Sequence, residues 1–94
     1  MYEKNLCDIA HTLLKASLEL KNENITESDL TRLYHQVWSM HSTLMYIMYR
    51  SDGGEYESAG GLYSTTNYYL IKIIGMIKLK RGEEHEKDNI YIKN

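Results

Sequence analysis

The 94-residue chain has no proline, no phenylalanine and one cysteine. Without proline nothing obliges a helix to stop, so long uninterrupted elements are favoured. The lone Cys7 excludes an intramolecular disulfide and points to a reducing, cytoplasmic setting. No run of about 18 consecutive apolar residues occurs, which argues against a membrane partner. The opening MYEKNLCDIAH lacks a basic segment followed by an apolar one, so no signal peptide is expected. Catalytic signals are missing too. Gly53-Gly54 and Gly60-Gly61 lack the spacing of a phosphate-cradling loop, and no Ser/His/Asp set or paired carboxylate is legible. The chain is therefore expected to be no enzyme and to carry no cofactor. Cys7 and His11 share a helix side at i, i+4, but a metal site needs more ligands, and His35 and His41 fall on different sides of their helix. No metal is expected.

What the sequence does have is tyrosine, nine of them, and an uneven charge pattern within a net charge of −2. Tyr pairs an apolar ring with a polar tip and suits half-wet surfaces. Acids dominate residues 1–61 and 82–94, whereas residues 62–81 carry Lys72, Lys78, Lys80 and Arg81 with no acid. A basic island between acidic flanks is where a phosphate backbone would dock.

Leu6, Ile9, Ala10, Leu13, Leu14, Ser17 and Leu18 recur at helical spacing and predict a first helix from Glu3 to Leu20, ending in the polar cluster KNEN. Thr26-Glu27-Ser28-Asp29 reads as an N-cap with acids in the first turn, an approximate capping box. The second helix then buries Leu30, Leu33, Tyr34, Val37, His41, Leu44, Met45 and Met48 and reaches Tyr49 or Arg50, the alternative being a break into two helices near Ser39–Ser42, where Ser, His and Thr are weak helix formers. His41, on that apolar stripe, reads as a buried histidine with one hydrogen-bond partner or as an interface residue. Trp38, Met40 and Ile47 extend the apolar surface beyond one face, so this helix is central in the fold or meets a second chain. Asp52-Gly53-Gly54 predicts a helix end, and Gly60-Gly61 a second break after a short helix over 55–59.

From Ser64 the pattern admits two readings. In the favoured one, Thr66, Leu70, Ile73 and Ile74 form a helical face that stops at Gly75. Ile77-Lys78-Leu79-Lys80 and Asn89-Ile90-Tyr91-Ile92-Lys93 then alternate as two strands of a hairpin. In the other, one helix runs from Ser64 to Arg81, with Gly75 inside it at a cost of about 1 kcal/mol. The hairpin gives Ile90 and Ile92 partners in Ile77 and Leu79. The fold class expected is a mainly α single domain over 1–94 with a C-terminal β-hairpin, a winged helix-turn-helix, the alternative being an all-α three-helix bundle. Residues 1–50 supply core and dimerisation, and 51–94 the helix-turn-helix and wing.

Leu44–Ile92 resembles the MarR-type regulator group, through LMYIMYRSDGG, STTNYYLIKIIGMIKLKR and GEEHEKDNIYI. The resemblance implies a dimeric DNA-binding transcriptional regulator. It places Thr65, Asn67, Tyr68 and Lys72 against bases and phosphates of duplex DNA, and Lys78, Lys80 and Arg81 against the backbone beside the wing. A homodimer is expected through Leu6, Ile9, Leu13, Trp38, Met40 and Ile47. The competing expectation is a helical protein-protein interaction module without nucleic-acid contact, an inhibitor or adaptor, since aromatic and Met residues such as Trp38, Met40 and Tyr68 populate interface cores.

Overall fold

In a computed structural model, which describes the backbone of residues 1–92 and the side chains of residues 1–82, the chain forms three helices: α1 (Glu3–Glu19), α2 (Glu27–Arg50) and α3 (Gly53–Ile92). The expected winged helix is overturned. No strand occurs among the described residues, and the fold is all-helical.

The first two helices start and stop where local chemistry dictates. Leu6, Ile9, Leu13 and Ala16 form the buried stripe of α1. The link to α2 turns through Asn22, whose side-chain oxygen accepts the Asn24 N–H at 3.0 Å. Thr26 then caps α2 reciprocally: its Oγ1 accepts the Asp29 N–H at 3.1 Å, and Asp29 Oδ2 accepts the Thr26 N–H at 3.2 Å. Ile25 and Leu30 flank that cap and are both buried, the arrangement of a hydrophobic staple.

Only Ser51 and Asp52 separate α2 from α3. Gly53 has φ +57°, the left-handed region that glycine enters without strain, and this reverses the chain into an antiparallel helical hairpin. From there α3 runs 40 residues through Gly60, Gly61, Gly75 and Gly82. Both expected breaks are absent, and so is the strand at Ile77–Lys80. The second expected strand, Asn89–Lys93, is helical as far as Ile92; its side chains, with Ile90 and Ile92 among them, lie outside the described residues. The physical reason is tertiary. Ala59, Thr66, Leu70 and Ile73 are buried along one helical stripe, with Leu62, Tyr63, Tyr69, Met76 and Ile77 packed at its margins. Burying one Leu or Ile is worth about 1.5–3 kcal/mol, which outweighs the roughly 1 kcal/mol that an interior glycine costs.

The core lies where the three helices meet, with Leu30, Leu33, Val37, Leu44 and Ile47 of α2 at its centre. Five of the six residues assigned to a dimer interface, Leu6, Ile9, Leu13, Met40 and Ile47, are buried in this core by their own chain. Trp38 is the exception. Arg81 Nε donates to Glu27 Oε1 at 2.6 Å and ties α3 to the start of α2. At the other end the Met1 ammonium contacts Glu55 Oε1 at 2.6 Å.

Candidate functional site

Packing α1 against one side of the α2–α3 hairpin leaves the other side open. The α1 side is marked by a cleft of about 220 Å³ between Ala10, Leu13, Leu14 and Ser17 of α1 and Leu62, Thr65 and Tyr69 of α3. At about 100° per residue, Tyr34, Trp38, Met45 and Tyr49 of α2 fall within about 60° of one another, turned away from that side. Trp38 is 51% exposed, Met45 52% and Tyr49 88%. On α3 the matching flank carries Tyr56, Tyr63, Ile71 and Ile74, with Ile71 73% exposed. Single exposed apolar side chains are ordinary, and Leu14, Leu18, Tyr68 and Leu79 are exposed elsewhere; several on one flank make it a candidate interaction surface.

A file of rings crosses this flank. Tyr34 stacks on Trp38 with centroids 6.5 Å apart, Trp38 on His41 at 5.7 Å, and His41 on Tyr63 at 4.2 Å. His41 is itself buried, and its Nδ1 lies 3.0 Å from Thr66 Oγ1. The Thr66 hydroxyl donates its one proton to the Tyr63 carbonyl at 2.7 Å. Towards His41 it can therefore only accept, so Nδ1–H is the donor of this bond. This bond joins α2 to α3 behind the ring file. Towards the α2 N-terminus the flank deepens into an open groove of about 310 Å³, lined by Thr31, Tyr34, His35, Ile74, Ile77, Lys78 and Arg81.

The residues expected to contact DNA do not share a surface. Thr65, Tyr68 and Lys72 lie on one side of α3, where the Lys72 ammonium stands 6.0 Å from the Tyr68 ring centre. Asn67, Lys78 and Arg81 lie on the open flank, and Arg81 is occupied by Glu27. Lys80 is half-buried on a third side. Among the described residues no three His, Cys, Asp or Glu side chains gather as a metal site, and no helix is long and apolar enough to cross a membrane.

The sequence reading singled out Trp38 and Tyr68 as candidates for an interface, but it placed in the core both Met45, which is exposed, and Tyr34, which is half-buried at the core's margin. Their margin position was legible, because Met45 stands about 100° from Leu44, the buried centre of the stripe. Thr66 was placed on the apolar face, and nothing local pointed to His41 as its partner. Compared with known protein families, curated proteins and solved structures, the chain matches none of them, so the geometry of the flank carries the functional reading.

Proposed function

We propose that this chain is a helical protein-protein interaction module that works through the open flank of the α2–α3 hairpin. The observation that carries this is the exposure of Trp38, Met45, Tyr49 and Ile71 on one side of a hairpin whose other side is covered by α1. Aromatic and Met side chains dominate the cores of protein interfaces, where rigid rings bury much area at small entropic cost. The groove beside Tyr34 and Ile74 offers the concavity that an anchoring side chain needs.

The duplex-DNA reading rested on a wing beside a recognition helix. With α3 continuous, its basic residues are spread around the helix and one of them is already ion-paired. Neutralising a run of phosphates needs several cations on one face.

Two measurements test the proposal together. In fluorescence anisotropy with mixed duplex DNA at about 50 mM salt, where non-specific phosphate binding is strongest, no saturable binding is expected. In nuclease-treated capture from the native host, tagged chain is expected to retain a protein partner or a second copy of itself, and Tyr49→Lys is expected to lose it. Salt-sensitive DNA binding that Lys72→Gln and Lys78→Gln reduce would overturn the proposal.

A further inference from the structure

We infer that the open flank is covered by a second copy of this chain, across a two-fold axis that passes between positions 41 and 42 of α2, so that α2 lies antiparallel on its copy. The inference rests on the interaction reading above and names its partner. An isologous interface needs a self-complementary patch, in which one residue meets a second and the second meets the first. The α2 stripe has this property: Tyr34, Trp38, Met45 and Tyr49 are separated by four, seven and four residues. One axis therefore sets each Trp38 against Met45 of the other copy, and each Tyr34 against its Tyr49. A thioether against an aromatic ring is a favourable contact. At the crossing itself stand buried His41 and small, exposed Ser42, which allow the backbones to approach. A partner of different sequence would impose no palindromic spacing.

The second helix of the hairpin obeys the same axis. The His41–Thr66 hydrogen bond and the approach of Met48 to Gly60 fix which part of α3 lies level with the crossing, close to residues 65 and 66. Inverting α3 about that level carries Ile71, the most exposed apolar side chain of the flank's second helix, onto Gly60, which has no side chain. It also brings Lys78 to the start of the other α3, beside Asp52; both are exposed and of opposite charge. The area is sufficient. At about 200 Å² per large side chain, the uncovered fractions of Trp38, Met45, Tyr49, Tyr56, Ile71 and Ile74 leave on the order of 700 Å² to bury. A stable interface takes about 600–1,000 Å² from each partner, so this area lies within the lower half of that range.

Sedimentation velocity of the full chain between about 1 and 100 μM tests this, a range that spans dissociation constants of micromolar strength. A species of twice the 11.0 kDa chain mass is expected. Trp38→Lys should raise the dissociation constant about 30-fold or more, as loss of a central aromatic anchor does. Helicity by circular dichroism should stay unchanged, because Trp38 lies outside the core. To fix the geometry, Ser42→Cys in a Cys7→Ser background should cross-link as a dimer with a short bismaleimide, whereas Thr43→Cys, turned off the flank, should not. A chain that stays monomeric at about 100 μM overturns the inference, and so does a dimer that Trp38→Lys leaves intact or that Thr43→Cys cross-links equally well. If the monomeric chain still retains a host protein in a Tyr49-dependent way, the inference falls while the interaction reading stands. If neither association occurs, both fall.

Discussion

Thr66 and His41 show how one buried polar pair sets the geometry around it. The hydroxyl accepts from Nδ1 and donates to the Tyr63 carbonyl, so both of its roles are filled. Replacing Thr66 by Val keeps the volume but leaves the His41 N–H buried without an acceptor, which costs about 1–3 kcal/mol. Urea unfolding of Thr66→Val should show that loss with an unchanged slope, since the area exposed on unfolding is the same. Asp29 acts at the surface. The Thr26 backbone N–H, then the Thr26 side chain, and lastly the Arg32 charge hold its carboxyl below the usual carboxylate range. A carboxyl whose folded value is depressed stabilises fully above its unfolded value and loses that contribution as pH falls through the folded one. Thermal melts should therefore weaken on acidification below the ordinary carboxylate range, and Asp29→Asn should flatten that limb.

The glycines of α3 separate helix propensity from turn chemistry. At Gly61 and Gly75 an added Cβ would meet nothing within 4 Å, and both are inside the helix. Gly61→Ala and Gly75→Ala should each raise stability by up to about 1 kcal/mol, since Ala loses less backbone entropy on folding. Gly53 also has open space, but its φ of +57° is the left-handed region. Gly53→Ala should cost about 1–2 kcal/mol. Opposite signs at Gly53 and Gly75, read by chemical denaturation, would mark the first as the turn and the second as helix interior. A helix ending at Gly75 requires Gly75→Ala to destabilise.

At the scale of the whole molecule, a long two-helix hairpin covered on one side only by a short helix buries a modest share of its surface, and small domains of this kind gain from association. If a second copy covers the flank, the folded state is linked to concentration by mass action. The melting temperature should then rise with protein concentration across about a hundredfold range. In Trp38→Lys it should stay flat. A wild-type melting temperature independent of concentration would place the flank's partner outside this chain.

The sequence by itself determined α1, the Thr26 cap, the two ends of α2 and the turn at Gly53, because each is settled by contacts within a few residues: a 3.6-residue apolar stripe, a reciprocal side-chain bond, a glycine in the left-handed region. That α2 runs unbroken through Ser39–Ser42 was left to the structure. The sequence also placed His41 on the apolar stripe, as a buried histidine or an interface residue. Only the tertiary structure decided that α3 is one helix. Ile77-Lys78-Leu79-Lys80 alternates as a strand does, yet Ile77 also continues the stripe of Leu70 and Ile73, and four residues cannot separate the two periods. The long surface offered by α2 tipped the balance, because a continuous α3 buries Ala59, Thr66, Leu70 and Ile73 against it and the interior glycines cost less than that burial gains. The candidate site is likewise a tertiary result. Which apolar residues of α2 are core and which are left for a partner depends on the side that α1 takes, and nothing within α2 specifies that side.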